Sequence, residues 1–284
     1  MINRLKKIFF RKIKFITARN YLKSYSKTMP KLFSVEDSIK KLTDQGISII
    51  EMCINETKLN TFIQKAEYDF YYQTYYTNRP QVKLKKIKEH FVAADLLNLN
   101  KSDTYIDIAS QYSPAPLVYE RLFGGTVLRQ DFDYPVGKHG RVLGGSAAKL
   151  EVESESASKM AMHCSFEHFE GDEDILFIQE AERVLTKGGS LAIVPLYLCD
   201  EYFIRTNPYL WASLPNNEWP RFDAEAKIYC PKDAANRHER FYSSDKFIQR
   251  IVQNTKMKVT IYSFGDSTSC STGQLRFAAL FTKI

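Results

Sequence analysis

The chain has 284 residues, 44% of them hydrophobic and 26% charged, with a formal net charge of +7. That is enough apolar material for one large domain, or for one of about 200 residues with an N-terminal extension. Its five cysteines (Cys53, Cys164, Cys199, Cys230 and Cys270) are odd in number, widely spaced and free of any Cys-x-x-Cys pair, which argues against a disulfide framework or thiolate zinc site and for a reducing, cytoplasmic setting.

The basicity is local. Residues 1–35 hold ten Lys or Arg and no acid, and without them 30 basic residues face 33 acidic ones. The body is therefore slightly acidic, and no nucleic-acid partner is expected for it. In an arm of residues 1–33, Ile2, Leu5, Phe9, Ile13 and Ile16 trace one helical face among the cations. Such a basic amphipathic helix suits peripheral contact with an anionic membrane through residues 1–30, or an acidic partner; packing on its own domain is the alternative. No apolar run approaches the roughly 18 residues of a membrane span, and the arm lacks the ~7–15-residue apolar core of a secretory signal.

Residues 34–82 read as a helical preface. Ser34 caps a helix with Glu36 and Asp37 in its first turn, residues 46–50 suit a short strand, and the aromatics Tyr68, Phe70, Tyr71, Tyr72, Tyr75 and Tyr76 line a pocket or cover the mouth of the main domain. From residue 83 the pattern alternates. An amphipathic helix over 83–99 leads to a strand over 104–109. Ser113-Pro114 opens a second helix with a cap and a proline, and Gly124-Gly125 ends it before a strand over 126–129. A glycine-rich loop (Gly137, Gly140, Gly144, Gly145) follows.

Residues 160–164 then form a buried strand, and Asp172 and Asp174 place carboxylates where a helix begins. Ile175, Ile178, Ala181 and Leu185 recur on one face, with Lys187 and Gly188-Gly189 expected to close that helix. Strands over 190–195, 258–264 and 275–282 complete a doubly wound α/β sheet with helices on both faces and ligands at strand C-terminal ends.

Two runs carry a family resemblance. His163-Cys164-Ser165-Phe166-Glu167-His168-Phe169, followed by Arg183-Val184-Leu185-Thr186-Lys187-Gly188-Gly189, resembles class I S-adenosylmethionine-dependent methyltransferases of the type 11-like kind. In that family a Leu-Glu-His-Ile/Val turn precedes Arg-Val-Leu-Lys-Pro-Gly-Gly. The likeness extends over about residues 85–284 and implies a Rossmann-like methyltransferase domain over 83–284, with an acceptor-recognition insert at about 197–257. It also implies S-adenosyl-L-methionine as cofactor.

The first turn departs from the family's acid-x-Gly-x-Gly-x-Gly. It reads Asp107-Ile108-Ala109-Ser110-Gln111-Tyr112-Ser113, and Gln111 is the costliest replacement if that position needs a positive φ. The implied cofactor-binding residues are Asp107, Ala109, Ser110, Ser113, Asp131 for the ribose (Asp133 the near alternative), Ser146 and Ala147 for adenine, and Cys164 and Ser165.

Glu167 and His168 fall beside the methyl group and are the candidate acid–base pair, histidine titrating near neutrality; bracing the turn is their other reading. Arg237, His238, Arg240 and Tyr242 form a cationic, aromatic cluster suited to an acidic small-molecule or glycan acceptor. Pairing with nearby carboxylates to pin the insert is the competing role. The expected activity is O- or N-methylation of a small-molecule or sugar-type acceptor. A non-catalytic binding protein of the same fold and a nucleotide-binding Rossmann enzyme are the rivals.

Overall fold

The structure, a computed structural model, describes residue 16, residue 20 and residues 35–68, 80–111, 113–211, 218–264 and 275–284. The arm apart from Ile16 and Asn20, and the aromatic run over 70–76, lie outside them. Six helices are described: α1 (Val35–Asp44), α2 (Glu56–Ala66), α3 (Pro80–Leu97), α4 (Ala115–Phe123), α5 (Glu173–Val184) and α6 (Ser244–Arg250). The strands begin with β1 (Ser48–Glu51), β2 (Thr104–Ile108), β3 (Thr126–Asp131), β4 (Gly137–His139), β5 (Val142–Gly144), β6 (Ala157–His163) and β7 (Leu185–Val194). They continue with β8 (Leu198–Cys199), β9 (Phe203–Arg205), β10 (Lys227–Tyr229), β11 (Glu239–Ser243), β12 (Lys258–Ser263) and β13 (Phe277–Thr282).

The larger sheet has the order β1-β12-β13-β7-β6-β2-β3-β5-β4. Its centre, β7 to β5, is parallel, while β13 runs antiparallel to both of its neighbours. From β2 the chain winds outward through β3 to β5, and then returns to wind the other way from β6. This is a doubly wound, Rossmann-like sheet, and its topological switch point lies between β2 and β6.

A period of two builds the layers. Ile106, Ile108, Met160, Met162, Leu191 and Ile193 face one side, where Leu42, Phe177, Ile178 and Phe247 of α1, α5 and α6 cover them. Tyr105, Ala161, Ala192 and Val194 face the other, against Leu59, Phe91, Val92 and Val118 of α2, α3 and α4. Ala161 and Ala192 are cross-strand partners. Their small side chains let α3 lie close to the sheet, with Val92 and Ala93 fully buried.

Three boundaries differ from expectation. The preface is not a separate unit, because β1 pairs in parallel with β12 and covers the sheet's edge. Helix α5 stops at Val184, and Arg183 rather than Lys187 is its last-turn cation, donating to the Leu150 and Val152 carbonyls at 3.2 and 3.0 Å. Gly188 and Gly189 belong to β7, where the register with β6 shifts; a Cβ on Gly189 would stand 2.8 Å from the Thr186 carbonyl oxygen. The glycine-rich loop, finally, contains the antiparallel pair β4–β5.

The insert builds a second sheet, β10-β9-β11-β8. Alternation along β11 buries Arg240 and Tyr242 and turns Phe241 to the other side, where it stacks on Phe203 at 4.6 Å. Both buried side chains meet Asp174 in the first turn of α5. Arg240 Nη1 pairs with Asp174 Oδ2, the Tyr242 hydroxyl donates to the same oxygen at 2.6 Å, and Arg250 Nη2 pairs with Oδ1 at 2.7 Å. Arg240 and Asp174 are both 0% exposed. Burial pushes the Asp174 carboxyl up, but Arg250 and Arg240 outweigh it and hold its pKa below the ordinary carboxylate value.

Removing one member of such a network strands the others without water. Asp174→Ala is expected to destabilise the fold by about 3–5 kcal/mol, seen as a melting temperature lowered by roughly 10 °C. Because the native pKa is depressed, the Asp174 contribution is complete above the unfolded carboxylate pKa and is lost as pH falls through the native one. The gap between wild type and variant should therefore narrow in acid, and a gap independent of pH would show that the carboxylate's charge is not what holds the insert.

Candidate active site

The site gathers at the C-terminal ends of β2, β3 and β6. The residue after β2 and the residue after β6 are both non-glycine residues in the left-handed region, Ala109 at φ 54° and Cys164 at φ 51°. Such a conformation costs about 1–2 kcal/mol for a residue with a Cβ, and it persists only where its surroundings fix it. Ala109 N–H donates to Gln130 Oε1 at 3.1 Å, and Ser110 N–H to the Gln130 carbonyl at 2.8 Å. Cys164 N–H donates to the Val194 carbonyl at 3.0 Å. Two strained turns thus flank the switch point, and the positive φ falls on Ala109, not on Gln111.

Asp131 ends β3 next to this turn, 7% exposed. Its Oδ2 accepts from Gln111 N–H at 2.9 Å and its Oδ1 from Asp133 N–H at 2.9 Å. Burial raises its pKa in spite of those two bonds. Each carboxylate oxygen keeps a further lone pair for a ligand hydroxyl. Asp133, the alternative acid, is exposed and paired with Gln111 Nε2.

Two residues escaped the sequence reading here. Gln130 bridges the turns, donating to the Gly145 carbonyl at 2.6 Å. Phe132, next to Asp131, is 61% exposed, an aromatic face beside the acid. The only sequence signal for either was adjacency to Asp131.

The serines act chiefly through backbone. Ser110 Oγ donates to the Gln130 carbonyl (3.2 Å), Ser113 Oγ accepts from Ala115 N–H (3.2 Å), and Ser165 Oγ donates to the His163 carbonyl (3.0 Å). Ser146 Oγ donates to Glu173 Oε2 at 3.1 Å, and Ala147 beside it is buried.

On the α3 side Asp107 is fully buried. Its Oδ1 accepts from the Tyr105 hydroxyl and lies 3.3 Å from His163 Nε2, while its Oδ2 and His163 Nδ1 have no hydrogen-bond partner. His90 packs edge-on against His163 at 4.7 Å, and burial, then His163 and Lys86, push its pKa well down. It is a neutral member of the helix–sheet interface. His139 is an exposed surface residue.

Glu167 and His168 lie in a 3₁₀ turn (Phe166–His168) just past β6. Glu167 is 4% exposed and its Oε2 has no partner. His168 Nε2 stands 3.8 Å from Glu167 Oε1, with its side chain 40% exposed. The insert fixes both: His168 Nδ1 lies 2.6 Å from the His238 carbonyl, and His238 Nδ1 lies 3.1 Å from that of Glu167.

The proposed acceptor cluster requires correction. Arg237 forms a two-pronged pair with Glu170 at 2.6 and 3.2 Å. His238 is 2% exposed, its pKa pushed down to about 3 by burial and by Arg240. Arg240 and Tyr242 are bound to Asp174 with no surface to offer a ligand. These residues pin the insert to the loop after β6. Their counterions stand far upstream in sequence, which made them look like free cations.

Among the described residues no His, Cys, Asp or Glu cluster could hold a metal, and no helix is long and apolar enough to cross a membrane. No family model matches the chain, and neither does any curated protein. Solved structures do resemble it. One is a 1,6-didemethyltoxoflavin-N1-methyltransferase of Burkholderia thailandensis with S-adenosylhomocysteine bound; it is 10% identical, with a TM-score of 0.47 over 82% of this chain and 93% of its own. The PH0226 protein of Pyrococcus horikoshii is 13% identical, with a TM-score of 0.49 over 76% and 99%. A SAM-dependent methyltransferase of Methanosarcina mazei is 12% identical, with a TM-score of 0.41 over 66% and 94%. With each TM-score below 0.5, these likenesses bear on neither cofactor nor substrate.

Burial raises the Glu167 pKa, and His168 only partly offsets it. Ionising this carboxyl therefore costs the folded state stability at neutral pH and costs nothing once both states are protonated. Glu167→Gln should raise the melting temperature near pH 7.5, by roughly 2–4 °C if the cost is about 1 kcal/mol. The gain should disappear as the pH approaches the ordinary carboxylate range. Thermal scans across that range test it, and a variant less stable than wild type at neutral pH would mean the carboxylate has a partner.

Proposed function

We propose that this protein is a class I S-adenosylmethionine-dependent methyltransferase acting on a small-molecule acceptor. The observation that carries the reading is the switch point itself. The left-handed turn at Ala109 and the carboxylate of Asp131 sit side by side at adjacent strand ends, where doubly wound sheets bind ligands. The His163–Phe169 run, which carries part of the family resemblance, follows β6 at the same end of the sheet.

The residues present fit the cofactor. Asp131 would hold the ribose hydroxyls through its remaining lone pairs, and exposed Phe132 would cover a face of the adenine. Asp107 Oδ2, buried and without a partner, would take the ammonium of the amino-acid end. Alanine at position 109 gives the close backbone approach that glycine gives elsewhere, at the cost of one left-handed Cβ. S-adenosylmethionine supplies an electrophilic methyl on a sulfonium centre when bound.

The chain's own task is then to hold the acceptor and take its proton. Glu167, buried and with its pKa raised, is the group placed to receive that proton. His168, 3.8 Å away and exposed, is placed to pass it to solvent.

Calorimetry tests the cofactor directly. S-adenosylhomocysteine should bind and NAD should not, and Asp131→Ala should weaken S-adenosylhomocysteine by about 1.5–3 kcal/mol, the range for hydrogen bonds to a charged group. Equal affinity in wild type and variant would remove Asp131 from the site. No binding to wild type would remove the cofactor.

A further inference from the structure

With the insert's arginines committed to a brace, the acceptor must be held elsewhere. The under-satisfied polar atoms near Glu167 mark the place. Tyr197, between β7 and β8, has its hydroxyl 3.9 Å from Cys164 Sγ, and that sulfur lies 3.6 Å from Glu89 Oε1 on α3. Both are long contacts to a weakly bonding atom. Glu167 Oε2 has no partner at all at 4% exposure. Burial raises the Tyr197 pKa, and the nearby Cys164, Glu167 and Glu89 raise it further, so these groups share one small space.

A buried polar atom without a partner is rare in native proteins and calls for an explanation such as a ligand. What these groups can bind follows from what is already engaged. Lys86 Nζ lies 2.9 Å from Glu89 Oε2, and Lys85 Nζ lies 3.8 Å from Glu89 Oε1. Both lysines pair with Glu89, and Lys86 also acts on Cys164, while Glu167 Oε2 has no hydrogen bond from either. What remains open is above all acceptor capacity on the Glu167 carboxylate, with the Tyr197 hydroxyl beside it able to accept or donate. An anionic ligand would face the unpartnered Glu167 carboxylate, whereas a cationic donor finds a partner in it. The Tyr197 ring, 5.0 Å from that of Phe241, adds an aromatic wall beside it.

We propose that Glu167, Tyr197 and Cys164 form the acceptor pocket of this protein, and that it takes a small molecule bearing a protonated amine, whose N–H groups donate to Glu167 Oε2 and to the Tyr197 oxygen. This rests on the methyltransferase reading for the name acceptor, but the recognition stands on these residues alone. It replaces the acidic acceptor expected from the sequence with a basic one.

The test uses three isosteric probes on the full chain, first saturated with S-adenosylhomocysteine: benzylamine, benzyl alcohol and benzoate, titrated calorimetrically up to tens of millimolar. Benzylamine should bind about tenfold more tightly than benzyl alcohol, the effect of one charged hydrogen bond, and benzoate should not bind. Glu167→Gln should abolish that preference while leaving S-adenosylhomocysteine affinity unchanged. Tyr197→Phe, which keeps the aromatic wall, should weaken benzylamine to a smaller extent.

Benzyl alcohol binding as tightly as the amine, or any binding of benzoate, would overturn the proposal. So would Glu167→Gln retaining the amine preference, or none of the three probes binding. A failure of the cofactor reading would appear separately, as absent heat in the preceding S-adenosylhomocysteine titration; the probe titrations, then run on the chain alone, would judge the pocket by the same outcomes.

Discussion

One carboxylate holds the two parts of this molecule in register. Asp174, at the start of α5, is shared by Arg240 from the insert's sheet, Arg250 from α6 and the Tyr242 hydroxyl. Buried ion pairs seldom add net stability over apolar packing, because desolvation of both charges offsets their attraction. Their geometry, however, ties the insert's sheet and α6 to the first turn of α5. That docking fixes the loop after β6, since Arg240 and Arg250 also donate to the Gly171 carbonyl at 2.6 and 2.8 Å. The position of Glu167 and His168 depends on contacts made by residues about 70 positions further along the chain.

A second constraint lies in the turn after β2. Glycine is the usual solution where backbone must enter the left-handed region, and here Ala109 does so with a methyl group. Gln130 makes this possible by cross-bracing: its carbonyl takes Ser110 N–H, its side-chain oxygen takes Ala109 N–H, and its side-chain nitrogen reaches Gly145. Rigidity that glycine would forgo is supplied by a neighbouring strand. Asp131 is fixed in the same way, held by Gln111 N–H and Asp133 N–H.

Much of the fold was legible because its signals are local. The short apolar runs at residues 160–164 and 190–195, and the helical stripe through Ile178 and Ala181, each act within a few residues. Non-local features were not legible. Strand β1 finds its partner in Thr260–Ser263, more than two hundred residues away, and nothing in its four residues announces that edge. Strands β4 and β5 are three residues each, too short for a period to show. Gly188-Gly189 was misread as a helix stop because a bulge and a cap favour the same residue type for the same reason, freedom of φ.

The site divides along the same line. Asp131 and Glu167-His168 were singled out through the family resemblance, which is carried by short contiguous runs. The partners of Arg237 and Arg240 were invisible, since a cation's meaning depends on whether its counterion is water or a carboxylate brought by the fold. What the structure adds is a map of which polar atoms are finished. Arg237 and Arg250 are finished, and so are most of the serines. Arg240 Nε and His238 Nε2 in the brace are not, and neither are Asp107 Oδ2, His163 Nδ1 and Glu167 Oε2. Each such atom costs about 1–3 kcal/mol if it stays unpaired in the interior, a sum comparable to a large part of a domain's net stability. The last three stand near the C-terminal end of β2 or β6, where a ligand can relieve that cost.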